Sequence, residues 1–356
     1  MNFQNVFFLF VKIYLLIKFT FLYFISFKNI GGIMKFNIAI IGATGLVGRT
    51  TLKILEERGL CRHNIFLFAS SKSEGEKVLF AGKSKKIISL CEETLYQRVY
   101  DFALFCTGED ISRKYIDLLA KAGCQVIDFS SAYRKDYPLI VPEVNMADAQ
   151  GNIICNPNCS TIASVVALNE IHKRFGLERI VYSTYQAVSG AGKGAMSEFD
   201  ETNSMHLQFL DYPIKNNLIP YIGSIDGNGC CTEEKKMLFE TKKILNDFDI
   251  KISAMTVRVP VDIGHSISIF FETKQNVSVD ELRKVLDESE GVKYITHPMP
   301  MLSREQDYVL VGRLKKDEFN DKSFSLFLSS DNLRKGAGQN GVQILEKLIE
   351  RKNSSL

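Results

Sequence analysis

The sequence predicts a two-domain α/β protein on three observations: a strand, glycine loop and helix at 36–59, continued alternation of strand and helix to residue 155, and longer adjacent strand runs after it. A chain of 356 residues exceeds one ordinary core, so two domains are the default. Hydrophobic residues at 46% and charged residues at 24% are globular composition, which argues against disorder. Lys and Arg number 44 against 41 Asp and Glu, with no dense basic block, so no nucleic-acid partner is expected.

Residues 1–33 differ from all that follows, being rich in Phe, Ile, Leu and Tyr and free of acidic residues. As a membrane span the stretch is long enough, but Lys12 and Lys18 interrupt it, and a charge at mid-bilayer costs about 2.5 to 3.5 kcal/mol. As an export signal it lacks a positive start and a small-residue cleavage site. We favour Met34 as the start of the functional protein and a cytoplasmic location; if the leader is retained, the alternative is a membrane anchor.

From Phe36 the order is FNIAIIG, a buried-strand run, then GATGLVG, a turn, then RTTLKILEERG, an amphipathic helix ending at glycine. A strand at Ile65 to Ala69, the strand in YDFALFCTG, the helix SRKYIDLLAKAG and the strand CQVIDFSS continue the alternation, which makes a parallel, doubly wound sheet. After Asn156 a helix from about Ser160 to Phe175 leads into the strand and glycine loop RIVYSTYQAVSG, and MSEFDETNSMHLQFL reads as a helix. EEKKMLFETKKIL is a helix, and KISAMTVRVPV, SISIFFET and SFSLFLSS are strands of a largely antiparallel or mixed sheet with helices on one face. The tail VQILEKLIERK carries Val342, Leu345 and Ile349 on one stripe and is expected to return to the first domain. Expected limits are 34–158 with 332–356 for the first domain and 159–331 for the second.

Gly42, Gly45 and Gly48 form a G-x-x-G-x-x-G run between strand and helix, where backbone amides can approach a pyrophosphate. A bare glycine pattern is weak, but the flanking strand and helix make this a Rossmann-type dinucleotide site. At the end of the second strand, where NAD enzymes place a carboxylate, the chain reads Ala69-Ser70-Ser71-Lys72-Ser73. Hydroxyls and a cation there favour NADP, an ordinary polar turn being the alternative.

The eight cysteines, at 61, 91, 106, 124, 155, 159, 230 and 231, show neither a disulfide framework nor a CxxC metal knuckle, so a reducing compartment and no metal are expected. Cys159, in Asn156-Pro157-Asn158-Cys159-Ser160-Thr161 at the start of a helix, is the expected nucleophile. Free amides and the helix dipole should lower its pKa and later hold an oxyanion. A thiolate adding to an aldehyde needs a base. Of five histidines, His63, His172, His206 and His297 read as solvated surface, whereas His265 lies between two strands in RVPVDIGHS. A turn histidine is its alternative reading. Arg258, a lone charge in an apolar strand, suits a substrate carboxylate. Glu233 and Lys236 share a helix face, as a site pair or as a solvated ion pair. Arg134, beyond the strand end of DFSSAY, suits an anion, although loop arginines are usually solvated.

Taken in order and spacing, GATGLVG, SSAYR, VPEVN, NPNCST, TYQAVSGAGKGA, EEKKM, VRVPVDIGHS and DNLRKGA resemble the aspartate-semialdehyde dehydrogenase family from about Met34 to Ile349. The resemblance implies NADPH-dependent reduction of L-aspartyl 4-phosphate to L-aspartate 4-semialdehyde with release of phosphate, through a cysteine thioester, on the route to lysine, methionine and threonine. It implies Cys159 as nucleophile, His265 as acid/base and Gln186 as the side chain that positions the substrate. Arg258 would bind the substrate carboxylate, Glu233 its amine, and Arg134 and Lys236 phosphate, with Asn158 beside them in NPNCST. Thr44, Gly45, Leu46 and Val47 would lie in the phosphate loop of NADP and Ser70 to Ser73 near its 2′-phosphate. Ser189, Gly190, Asn332 and Gln343 would lie toward the nicotinamide half. A homodimer or dimer of dimers is implied as well. The leader and the lysine at 72, where many members have arginine, depart from the family pattern. Rival readings are a reductase of N-acetylglutamyl phosphate and a non-catalytic dinucleotide-binding relative.

Overall fold

The computed structural model describes residues 34–318 and 320–354; the leader 1–33, with the expectations placed on it, lies outside the described residues. The first sheet is built from β1 (Asn37–Ile41), β2 (Asn64–Ala69), β5 (Ile88–Ser89), β6 (Phe102–Phe105), β7 (Gln125–Asp128) and β8 (Ile153–Cys155), with β3 (Lys77–Phe80) and β4 (Lys83–Lys86) forming a separate hairpin. Its order β5-β2-β1-β6-β7-β8 is parallel throughout. Apolar strands buried on both faces are what a parallel sheet requires. Ile38 and Ile40 of β1 pack with α1 (Leu46–Glu57) on one face. Ala39 and Ile41 face Tyr115, Ile116 and Leu119, which belong to the helix Glu109–Lys121. Numbering the helices in order, α2 is Glu92–Leu95, α3 is Glu109–Lys121 and α4 is Pro142–Asn145.

The second sheet joins β9 (Leu177–Gln186), β10 (Lys251–Arg258), β11 (His265–Thr273), β12 (Val292–Tyr294), β13 (Val309–Lys316) and β14 (Ser323–Ser330) in the order β10-β9-β11-β14-β13-β12. It is mixed: β10 runs parallel to β9 and β12 to β13, and the other pairs are antiparallel. One face is covered by α5 (Cys159–Phe175), α7 (Thr232–Leu245) and α8 (Val279–Glu288), whose side chains join Ile180, Tyr182, Ile267 and Leu328 in one core. Helix α5 buries every residue from Ser160 to Asn169, as expected of a helix sandwiched within the protein. On the opposite face Tyr185, Met255 and Phe270 stay 42%, 56% and 46% exposed. The last helix, α10 (Gln339–Ser354), follows α9 (Pro300–Ser303) and sends Val342, Leu345 and Ile349 into the core under β1, the stripe read from the sequence.

The segment 196–210 corrects the expected helix. Only α6 (Gly192–Ser197) and a single turn at Ser204–His206 form there. Glu198 accepts from the backbone N–H groups of Gln208, Phe209 and Leu210, folding the segment back on itself instead of extending the helix. His63 is likewise not solvated surface. It is 5% exposed, accepts from the N–H of Phe36 at 3.3 Å, and burial lowers its pKa.

Candidate active site

The loops that leave the carboxyl ends of β1, β2, β7 and β8 gather at one edge of the parallel sheet, where ligands bind in open α/β folds. At the glycine loop a Cβ on Gly42 would meet Cys106 O at 2.4 Å, and one on Gly48 would meet Gly42 O at 2.1 Å, so strand–helix packing itself excludes side chains. A Cβ on Gly45 would meet only Gly42 O, at 3.4 Å, an ordinary contact, so packing does not exclude a side chain there. Helix α1 starts at Leu46 with no side-chain cap, which leaves the first-turn amides beside Thr44, Gly45, Leu46 and Val47 for an anion. Ser71–Ser73 form one exposed turn after β2, with Ser70 preceding it, Lys72 in its last turn and no carboxylate before Glu74. The donor set fits a diphosphate at the glycine loop and a further phosphate at this turn.

Cys159 opens α5 and is half-buried. Asn158 caps the helix: its Oδ1 accepts from the N–H groups of Ser160 at 3.0 Å and Thr161 at 3.2 Å, while its Nδ2 donates to Glu233 Oε1 at 2.7 Å. The amides expected to be free for an oxyanion are therefore partly taken by the cap. Strand register brings the second set of groups together. Arg258 ends β10 directly opposite Gln186 at the end of β9, and His265 begins β11 one position beyond the Ser266–Tyr185 pair. Gln186 donates to Glu233 at 3.3 Å, so one buried carboxylate touches both the residue before Cys159 and the end of β9. Arg258 is 6% exposed and donates to Ala187 O at 2.8 Å. Lys236 reaches Glu233 at 3.5 Å with its side chain 31% exposed.

The electrostatics correct the expected Cys159 pKa. Burial pushes the thiol up to about 12 and the Glu233 carboxylate adds to the rise, while Arg258, Arg134 and the Ser160 N–H pull the other way. Removing a thiolate from water outweighs the helix terminus here. Burial also lowers Arg258, against the opposing pull of Glu233. The two halves of the site thus meet: Arg258 acts on both the Cys159 sulfur and the His265 ring, and a Cβ on Gly336 would sit 2.8 Å from the Cβ of Cys159.

Two buried carboxylates escaped the sequence reading. Glu240 pairs with Arg134 at 2.8 Å and accepts from the N–H of Asn158 at 2.7 Å. Arg134 also donates to Phe129 O at 2.9 Å, and its buried Nε has no partner among the described residues, which leaves a donor for an anion. Glu143 holds the fully buried Lys335 at 2.6 Å, and Gln343 donates to the same oxygen at 2.8 Å. Glu240 lies two turns beyond Glu233 on the same helix face, a signal the sequence did carry. Ser189 and Asn332 hydrogen-bond each other at 3.0 Å, and Asn332 also accepts from the Gly264 N–H at 2.9 Å. Gly190 faces Arg258 and the His265 ring.

Comparison with known proteins matches residues 37–151 to a family model described as semialdehyde dehydrogenase, NAD binding domain, and residues 168–335 to one described as semialdehyde dehydrogenase, dimerisation domain. A relative from Aquifex aeolicus named aspartate-semialdehyde dehydrogenase is 42% identical over 337 residues, covering 89% of this chain and 99% of its own. The crystal structure of aspartate semialdehyde dehydrogenase II from Vibrio cholerae complexed with ASA superposes with a TM-score of 0.85 at 38% identity, over 89% of this chain and 99% of that one. An aspartate semialdehyde dehydrogenase with NADP from Candida albicans superposes with a TM-score of 0.66 at 25% identity, over 88% and 98%.

Proposed function

This chain belongs to the aspartate-semialdehyde dehydrogenase family, and from that premise we propose how its own residues divide the work. The reaction is the reversible, NADPH-dependent reduction of L-aspartyl 4-phosphate to L-aspartate 4-semialdehyde with release of phosphate, in lysine, methionine and threonine biosynthesis. Cys159 attacks the acyl carbon and carries it as a thioester. Arg258 binds the substrate carboxylate with its guanidinium fork, Glu233 its ammonium, and Gln186 orients the acyl group. Arg134 and Lys236 receive phosphate, with Glu240 holding Arg134 in place. NADPH supplies the hydride when bound. Gly42 to Gly48 and Ser70 to Ser73 would hold its phosphates, and Ser189, Gly190, Asn332 and Gln343 would line its nicotinamide side.

The observation that carries the substrate assignment is the buried Glu233, 5% exposed, placed between Asn158 and Gln186. A carboxylate there matches a free ammonium, which an N-acetylated substrate lacks. With aspartate semialdehyde, phosphate and NADP the enzyme is expected to form NADPH at least about 100-fold faster than with N-acetylglutamate semialdehyde, the cost of leaving one buried charge unmatched. A preference for the acetylated aldehyde would overturn the assignment. NAD in place of NADP is expected to work less well.

The dinucleotide domain is assigned to 34–158 with 332–356, and the catalytic and dimerisation domain to 159–331. The open face of the mixed sheet, carrying Tyr185, Met255 and Phe270, is assigned to a second copy of the chain, with a dimer of dimers as the larger form. Light scattering should give a dimer, and Phe270→Arg, which sets a charge in that face, should shift it to monomer; a wild-type monomer at micromolar concentration would refute the assignment. Among the described residues no helix is long and apolar enough to cross a membrane. A cytoplasmic location is part of the same reading.

A further inference from the structure

We propose, resting on the assignment of Arg134 and Lys236 to phosphate made above, that Glu109 is a built-in competitor for the phosphate seat. Its carboxylate takes the Ser131 hydroxyl when phosphate is away, yields it when phosphate binds, and returns as phosphate leaves. The register of the parallel sheet brings the two residues together. Phe105 at the end of β6 lies opposite Asp128 at the end of β7, and the chain reaches Glu109 four residues beyond the first and Ser131 three beyond the second. Glu109 opens α3, and Ser131 precedes the buried Arg134 by three residues. The Ser131 hydroxyl donates to Glu109 Oε1. That hydroxyl, with the Arg113 and Lys236 cations beyond it, holds the Glu109 carboxyl below its usual range against the effect of burial, so it is charged at neutral pH.

Acidic residues are ordinary in the first turn of a helix, where the amides favour negative charge, and Asp110 needs no other account. Glu109 differs because its carboxylate reaches across to another loop and has a second cation at hand: Arg113, one turn on, stands 3.6 Å from Oε2. The scaffold beneath is held by other groups. Asp128 accepts from the Ser112 hydroxyl at 2.8 Å, the Ser130 hydroxyl at 2.9 Å and the Ser130 N–H at 3.0 Å, which ties α3 to the loop after β7. Glu109, its side chain 49% exposed, takes no part in that tie and can turn from Ser131 toward Arg113 about its own side-chain bonds.

Phosphate carries its negative charge to Lys236 and to the unpartnered Nε of Arg134. A carboxylate on Ser131 repels it, and the single O–H of Ser131 cannot serve both anions. In the direction of reduction the returning carboxylate reclaims that hydroxyl and opposes rebinding, so release of phosphate is favoured. In the reverse direction phosphate enters against the same carboxylate. No covalent bond changes in the exchange, and the chemistry at Cys159 is untouched.

Initial rates of NADPH formation by the full-length enzyme, with inorganic phosphate varied against saturating aspartate semialdehyde and NADP, test the competitor. Glu109→Gln should lower the KM for phosphate on the order of three- to fivefold, the size of one half-exposed charge contact, and leave the KM for aspartate semialdehyde unchanged. Glu109→Ala, which also frees the Ser131 hydroxyl, should lower it at least as far. The gap from wild type should narrow as salt is raised, because a half-exposed charge is screened, whereas a mere packing change would ignore salt. A phosphate KM unchanged or raised in both variants overturns the proposal, as does a gap indifferent to salt. Lys236→Met tests the seat itself and should raise the phosphate KM at least about tenfold. If it does so while the Glu109 variants match wild type, the competitor falls and the phosphate assignment stands; if Lys236→Met has no effect, both fall.

Discussion

Replacing Cys159 with alanine is expected to lower turnover on the order of 10⁴-fold or more while leaving NADPH affinity within about twofold, since loss of a covalent nucleophile removes the pathway itself. The loops after β1 and β2 proposed to hold the cofactor are built from Gly42, Gly48 and the Ser71–Ser73 turn, none of which hydrogen-bonds to Cys159. Fluorescence titration with NADPH and a steady-state assay on one preparation separate the two effects. Retained turnover would take Cys159 out of the mechanism. The raised thiol pKa adds a second readout. A group whose pKa is raised to about 12 by burial and Glu233 is protonated at neutral pH, so its thiolate fraction grows about tenfold per pH unit. Alkylation of Cys159 in the free enzyme should therefore climb from pH 7 to pH 9 without levelling off; a plateau near pH 7 would show a thiolate already formed.

Arg258→Lys is expected to reduce kcat/KM on the order of 100-fold, mostly through KM, although the charge is kept. In its proposed role Arg258 spans two tasks that a single ammonium cannot share: one nitrogen donates to Ala187 O, and the rest of the fork would serve a carboxylate. At 6% exposure, water cannot substitute for the missing donors. Loss of one charge-assisted hydrogen bond at a buried site costs about 2 to 3 kcal/mol, which gives the magnitude. Wild-type KM for aspartate semialdehyde in the lysine variant would refute the role given to Arg258.

What the sequence made legible was local. Alternation of strand and helix, the spacing of Gly42, Gly45 and Gly48, and a cysteine following an Asn-Pro-Asn cap all act within a few residues, and all appear in the fold. Gln186 and Arg258 became a pair only through the register of β9 with β10. Glu240 meets the Asn158 amide across 82 positions, so its place seven residues after Glu233 marks a helix face but not that partner, and nothing near Lys335 marks its match with Glu143 across 192. The Cys159 pKa went the other way for the same reason: the helix terminus is a local term, whereas burial and Glu233 are tertiary ones. The expected helix at 196–210 failed to a single carboxylate, Glu198, that collects the amides of a neighbouring loop.

The route of the last residues sets the order in which the protein comes to life. Gly336, packed on Cys159, Lys335, matched to Glu143, and α10, filling the core under β1, all follow Cys159 by more than 170 residues. Residues through 336 must therefore leave the ribosome before Cys159 is walled in. A product truncated before Gln339 would lack Val342, Ile344, Leu345, Leu348 and Ile349 from the core that Ile38 and Ile40 share with α1, and that apolar gap would mark it to quality control as incomplete.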